Sequence, residues 1–252
     1  GLLPGQRIDF SVTGAQSGMS AVTVSPAFFV TGPDGLAKTT ISSGTVAGSV
    51  QVVAKGVMGP VMNQTSSDFI PIVGAKPNRK YMGFGCTFEN VGGFADPDIT
   101  IGCFMQAFDR FTNAIGVSQP VMFAAEAGIV SPVVNIETQF STASTSYLTG
   151  GNRVPSDVAP LAGEPNYTVG SVTYNPRDGL VTIVGAMRGE EEFDDNNGNG
   201  IYDAGEPYVD QGEPFVDAND NDICDPVNPA DPDFLAGLPY PCAEQFLDMN
   251  GS

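Results

Sequence analysis

"QRIDFSV", residues 6–12, sets Ile8, Phe10 and Val12 on alternate positions, with Arg7, Asp9 and Ser11 between them. Strict alternation marks a strand with one face turned inward. The pattern returns further on. The wider stretch "LLPGQRIDFSVTGAQSG" (2–18) matches "AIGVSQPVMFAAEAG" (114–128) in its order of apolar and polar positions. A second pair, "GPDGLAKTTIS" (32–42) and "NPRDGLVTIVG" (175–185), places Asp-Gly just before an alternating strand in both copies, at Asp34-Gly35 and Asp178-Gly179. Self-similarity of this kind means one structural unit used twice. It predicts two similar antiparallel sandwiches.

Around that repeat, the first segment reads as strand throughout. "SAVTVSPAFFV" (20–30), "LAKTTIS" (36–42), "GSVQVVAKG" (48–56) and "SDFIPIVG" (67–74) are separated by turn residues, among them "GPDG" at 32–35. "GAKPNRK" (74–80) reads as a linker, because Gly and Pro break regular structure and its small basic cluster suits a solvated surface. In the second segment, "DITIGCFMQAFDRF" (98–111) and "PVMFAAEAG" (120–128) read as strands around a turn at 112–119. The Ser-, Thr- and Asn-rich stretch near 140–170 reads as a polar insertion, and "GSVTYNP" (170–176) and "LVTIVGAMRGEEEF" (180–193) follow as strands. The second copy has a strand ahead of its turn, whereas the first begins at the equivalent of that turn. The first unit is therefore expected to lack its opening strand. A longer parent chain and strands supplied by neighbouring copies both account for that gap.

The 252 residues carry 29 acids against 10 bases, a net charge of -19, and no histidine. Seventeen of the acids lie in 190–252, which holds no Lys or Arg. Such a surface repels nucleic acid and anionic lipid and attracts cations. The absence of histidine excludes histidine-dependent triads and His-ligated zinc. A glycosidase-type carboxylate pair is not excluded on composition. No 18-residue apolar run exists, so no membrane span is expected. The start at Gly1 reads as processing or as excision from a longer chain. Four cysteines, Cys86, Cys103, Cys224 and Cys242, suit disulfides in an oxidising compartment. Cys86–Cys103 with Cys224–Cys242 is the simplest of three pairings, and four buried thiols are the alternative.

The acids have metal-loop spacing. Residues 195–206, "DNNGNGIYDAGE", satisfy the template D-x-[DN]-x-[DN]-G-x5-E throughout. Asp195, Asn197 and Asn199 take positions 1, 3 and 5, and Gly200 supplies the sharp turn. Ile201 offers a backbone carbonyl, Asp203 takes position 9, and Glu206 takes the bidentate position 12. A calcium ion needs roughly six to eight hard oxygen ligands, which closely spaced Asp and Asn supply. A second loop, 217–228, is weaker. Asp217, Asn219, Asn221, Ile223 and Asp225 fit, but Asp222 replaces the glycine and Asn228 the glutamate, so Asp210 or Glu213 is a candidate extra ligand. A third start stands at Asp248 and Asn250. Between the loops, "GEPYVDQ" (205–211) repeats as "GEPFVDA" (212–218). Proline after each glutamate forbids the exiting helix of an EF-hand. The expectation is a calcium-stapled extended element and not a helical switch.

"PGQRIDFSV…GPDGLAKTTISSGTVAGSVQVVA" resembles the bacterial Ig-like repeat of invasin- and intimin-type surface proteins. "AFDRFTNAIGVSQPVMFAAEAG" is similar to the family's D-x-x-G-N-x-V-x-G-x-x-V-x-F segment, with Thr112 in place of the glycine. The acidic part resembles the DxNxNGxxDxGE loops of dockerins and secreted bacterial repeat proteins. The resemblance implies an extracellular rod, stalk or adhesin and no catalytic site. Taken together, the fold class expected is all-β: two tandem Ig-like antiparallel β-sandwich domains, 1–75 and 81–190, followed by a calcium-loop segment, 191–252. Expected partners are calcium and further copies of the chain through strand complementation. The functional expectation is a non-catalytic structural module on a bacterial surface. A glycan- or protein-binding module is the alternative, which a cluster of exposed aromatics would favour. An accessory region of a secreted enzyme is the third.

Overall fold

The computed structural model describes residues 3–14, 22–58, 61–152, 154–156, 158–198, 201–209, 214–223 and 247. Apart from one 3-10 turn, the named elements among them are strands, and every strand pairing is antiparallel. The all-β antiparallel sandwich expected from the alternation, Ig-like as the resemblance implies, is the class observed. The chain divides into two compact units, Gly1–Ala75 with Phe108–Val117 and Lys76–Ala107 with Ser118–Ser252.

The first unit holds β1 (Arg7–Thr13), β2 (Thr23–Ser25), β3 (Phe28–Val30), β4 (Thr40–Ser42), β5 (Gly48–Met58), β6 (Val61–Ser66) and β7 (Ile70–Ile72). One sheet runs β3-β1-β5-β6 with β7 also on β5, and β2 pairs with β4 in a separate ladder. In β1 the alternation places Ile8, Phe10 and Val12 on the less exposed face, as the sequence predicts. "SAVTVSPAFFV" is not one strand. Pro26 carries no amide hydrogen to continue a ladder, and at that point the chain passes from β2, paired to β4, to β3, paired to β1. Val50 and Val53 of β5 are buried. The segment 108–117 joins this unit through a parallel bridge between Gly74 and Ile115, and Ile115 is among its most buried side chains. Any side chain at Gly74 would collide with the backbone of Ala114.

The second unit holds β8 (Met82–Cys86), β9 (Thr100–Ala107), β10 (Pro120–Ala125), β11 (Gly128–Val130), β12 (Val133–Asn135), β13 (Thr142–Asn152), β14 (Tyr167–Val169), β15 (Val172–Tyr174) and β16 (Ile183–Met187). Its sheets are β11-β13-β9-β8 and β12-β10-β16, with β14-β15 as a two-stranded ribbon. Ile101, Cys103, Met105 and Ala107 alternate inward along β9, and Val121 and Phe123 do so from β10. Cys86 and Cys103 are register partners on β8 and β9 and form a disulfide. Cys224 and Cys242 lie outside the described residues. The polar stretch near 140–170 is no insertion: its first third is β13, at the centre of the larger sheet. Its inward row of Ala143, Thr145, Tyr147 and Thr149 is too small and polar to read as a core face. Thr149 fits there because its hydroxyl donates to the Asp96 carbonyl (2.8 Å) and accepts from the Ile99 amide (3.1 Å). The stretch 74–80 contains the boundary between the units, at Ala75 and Lys76, and its second half is structured. Pro77 and Asn78 are buried, Asn78 caps the 3-10 turn Arg79–Tyr81, and the Pro77 carbonyl accepts from the Glu190 amide (2.8 Å).

The repeat is carried by the backbone. The Phe10 amide donates to the Ala27 carbonyl at 2.7 Å, and the Phe123 amide donates to the Pro132 carbonyl at 2.8 Å. The Thr31 amide donates to Gln6 (2.8 Å), and the Ile136 amide to Gln119 (3.0 Å). Thus β1, β3 and β5 correspond to β10, β12 and β16. The ladder β2-β4, with Val24 opposite Ile41, corresponds to β11-β13, with Val130 opposite Tyr147. The second half of the sequence alignment is corrected by this topology. Asp34-Gly35 and Asp178-Gly179 both turn the chain with a positive glycine φ (+71° and +85°). They precede non-equivalent strands, however: β4 corresponds to β13, not to β16. Among the described residues β4 has one neighbour, β2, where β13 has two, β11 and β9. Among the described residues the opening strands of the second unit, β8 and β9, have no counterpart in the first.

Candidate metal loops

The residues 192–209 form a closed loop on a short two-chain base. Phe193 and Tyr208 make an antiparallel bridge, the Asp194 amide donates to Pro207 (2.9 Å), and the Val209 amide donates to Glu192 (2.9 Å). Phe193, Tyr202 and Tyr208 pack edge to face over this base, with ring centroids 5.6 and 5.7 Å apart. Lys80 steadies its start through an ion pair with Glu192 at 3.2 Å, which raises the lysine above its ordinary value.

Within the loop, Glu206 is the organising group. It is only 8% exposed, and its Oε1 and Oε2 accept the amides of Asn196 and Asp203, both at 2.9 Å. Asn197 Nδ2 donates to Asp203 Oδ2 at 2.7 Å. Positions 3, 9 and 12 of the template are therefore drawn into one turn, with Gly198 and Gly205 at positive φ. Asp195 lies in the same turn beside Asn196, whereas the Ile201 side chain points to solvent. Asn199 and Gly200 lie outside the described residues.

The second loop is organised the same way from its other end. Asp217 is 9% exposed, and its carboxylate accepts the amides of Asn221 (3.1 Å) and Asp222 (2.6 Å). Asn221 Oδ1 accepts the Ile223 amide at 2.8 Å. Asp220 and Asp222 adopt positive φ (+56° and +62°), a region Asp tolerates through local hydrogen bonding. This explains why Asp222 stands where the template has glycine. Asn219 is half-buried in the same turn, and Asp225, Asn228, Asp210, Glu213, Asp248 and Asn250 lie outside the described residues.

Sequence reasoning missed what anchors this loop. The Thr182 hydroxyl donates to the Asp217 carbonyl (2.9 Å), and Arg177 Nη1 donates to the Asp220 carbonyl (3.0 Å). Arg177 is itself held in a two-pronged ion pair by Glu164, at 2.7 and 2.9 Å. The pair lowers the Glu164 carboxyl and raises the arginine. Burial pushes the Asp220 carboxyl up; Arg177 opposes that shift and Asp217 and Asp222 add to it. The available signal was the isolation of Arg177 as one of the last two bases before the acidic run.

By type, this donor set fits calcium: carboxylates, carboxamides and backbone carbonyls, all hard oxygens. By arrangement, Glu206 and Asp217 are each turned onto their own loop's amides. Among the described residues no three Asp, Glu, Cys or His side chains stand together as a metal cluster. Any ion there would draw on Asn and backbone oxygens as well. Among the described residues no helix is long and apolar enough to cross a membrane.

No protein-family model and no curated protein matches the chain. Among solved structures, the D0-D1 domain of Intimin is similar at 16% identity, covering 57% of this chain and 68% of that chain with a TM-score of 0.25. At that score the fold rests on the strand pairings themselves.

Proposed function

We propose that this chain is a non-catalytic structural module of an extracellular bacterial stalk or self-assembling fibre, built from tandem Ig-like sandwiches and stiffened by calcium at the acidic loops. The observation that carries the reading is the repeated core: the same pair of backbone hydrogen bonds recurs at Phe10 and Phe123 and at Thr31 and Ile136. A module used twice in series builds length. The two loops support the calcium part, since each folds around a buried carboxylate and carries further oxygens of the right kind. The edge of β4, which has one neighbour among the described residues, supports the fibre part. It is the place where another copy would contribute a strand in the manner of β9.

Exposed apolar side chains on the second unit, among them Phe88 and Phe94, favour an adhesin as the second reading.

The test is thermal unfolding and sedimentation of the purified chain in millimolar calcium and in EGTA. Extracellular calcium modules bind at about 10⁻⁴–10⁻³ M. At about 10 mM calcium the excess over Kd is roughly tenfold to hundredfold, which stabilises by about 1.4–2.7 kcal/mol per site. At about 2–4 °C per kcal/mol for a chain of this size, EGTA lowers Tm by several degrees. An unchanged Tm sinks the calcium staple, and a strictly monomeric species at all concentrations sinks the fibre.

A further inference from the structure

The second unit carries a cleft of about 810 Å³ lined by Phe84 and Cys86 of β8, by Val181 and Ile183 at the start of β16, and by Phe88 and Leu180 at its mouth. Phe88 is 65% exposed and Leu180 44%. We propose that this cleft is the acceptor site for an extended polypeptide strand from a partner, which adds to β16 in antiparallel register. The inference rests on reading the two units as copies of one module, and it goes beyond that reading.

The first unit supplies the template. Its β5 corresponds to β16, and β5 is paired on both sides: to β1, with Phe10 opposite Ala54, and to β6, with Ala54 opposite Thr65. In the second unit Phe123 of β10 stands opposite Gly185 of β16. Among the described residues β16 has no neighbour on its other side. Among the described residues the chain does not return to fill the place. After β16 it leaves along Pro77 and Asn78, where Glu190 bridges in parallel to Asn78. Among the described residues, the position that β6 occupies in the first unit is thus open in the second, next to the cleft-lining Ile183 of β16. Its size falls within the usual range for binding clefts, roughly 300–1,000 Å³.

The lining sets the chemistry of the occupant. An added strand makes backbone hydrogen bonds along one edge and buries alternate side chains on one face. Phe84, Val181 and Ile183 demand that these be apolar. Glu89 and Asp178 are the acidic side chains of the lining, and among the described residues no Lys or Arg lines it. The fitting strand therefore alternates apolar residues with neutral or basic ones and carries no acid. The acidic tail of a second copy does not meet that requirement.

The probe is a fluorescent nonapeptide with valine at alternate positions, threonine between them and lysine at both ends, added to the full chain. Saturable binding is expected by anisotropy, with amide NMR shifts concentrated at residues 183–187. Phe88→Asp, on an exposed side chain, should weaken binding about tenfold through loss of an apolar anchor. The same peptide with proline at its centre should not bind. Absence of saturable binding, shifts outside β16 and β8, or indifference to Phe88→Asp overturns the proposal. So does a neutral disaccharide that shifts the cleft residues where the peptide does not. Peptide failure alongside a calcium-dependent Tm removes the acceptor site and leaves the stalk reading standing; the reverse result removes the calcium staple alone.

Discussion

Asp109 and Asn113 lock each other into a single turn around the buried Asp109 carboxylate. The Asp109 carboxylate, 1% exposed, accepts the Asn113 amide at 2.8 Å and its Nδ2 at 2.9 Å, and the Asn113 carbonyl accepts the Asp109 amide at 3.0 Å. The same carboxylate accepts the amides of Phe111 and Ala75, both at 2.9 Å. Asn113 in turn accepts the Ala47 amide and donates to the Thr45 carbonyl, both at 2.8 Å. This pair thus ties 108–117 to the start of β5 and the end of the first unit's chain.

Removing that carboxylate leaves the part-buried amides of Ala75, Phe111 and Asn113 without an acceptor. Each such loss costs about 1–3 kcal/mol. Asp109→Ala should therefore destabilise the first unit by about 3 kcal/mol or more, near the upper end for single substitutions. Asp109→Asn, which keeps one acceptor oxygen, should cost less. Urea unfolding of the two variants checks this, and equal stabilities would show that the turn does not hold the unit together.

The disulfide between Cys86 and Cys103 closes a loop of 17 residues in sequence. In the chain-entropy treatment a loop of that length is worth about 3 kcal/mol. Reduction under native conditions, or Cys86→Ala with Cys103→Ala, should lower the melting of the second unit by about 6 °C or more while the first unit melts as before. Differential scanning calorimetry with and without reductant resolves the two.

How far the sequence reveals this fold depends on which side chains face inward. Ile8, Phe10 and Val12 announce β1, and Ile101, Cys103 and Met105 announce β9, because their inward rows are large and apolar. The inward row of β13 consists of Ala143, Thr145, Tyr147 and Thr149, so its periodicity is invisible to a hydrophobic count. Pro26 ends one strand inside an apolar run that alternation alone treats as continuous. The loops were legible as donor types and spacing. Their anchors, Arg177 and Glu164, were not, because they come from a turn 13 residues apart in sequence and 43 from Asp220. The Asp-Gly pair misled for a related reason: any tight turn rewards glycine at positive φ, so a shared turn does not guarantee a shared strand.

That anchor gives a pH signature. The Arg177 guanidinium holds the Glu164 carboxyl below its ordinary range. A depressed folded value means the contribution is complete above the unfolded pKa of about 4.3 and is lost as pH falls through the lower folded value. Glu164→Gln should therefore reduce stability at pH 6 and make no difference near pH 2. Both groups keep partial contact with solvent, so the effect is small and should weaken further in high salt. Melting curves of the two proteins in EGTA across that range check it, and a gap that widens toward low pH would reverse the assignment.

Glu206 offers the sharpest test of the calcium reading, because its two roles separate. Without metal its oxygens cap the amides of Asn196 and Asp203. With calcium, position 12 would present both oxygens to the ion. Glu206→Gln keeps the size and one acceptor oxygen but removes the charge. In EGTA it should cost only about 1 kcal/mol, one net hydrogen bond. In millimolar calcium it should erase at least half of the stabilisation gained by the parent chain. Asp217→Asn should act the same way on the second loop, with a smaller effect because that loop matches the template less well. Titration calorimetry with Asp195→Ala as a third variant completes the set. If all three variants retain the parent's full calcium-dependent gain in Tm, the ion binds elsewhere, and the carboxylates at 206 and 217 are caps of acidic turns and nothing more.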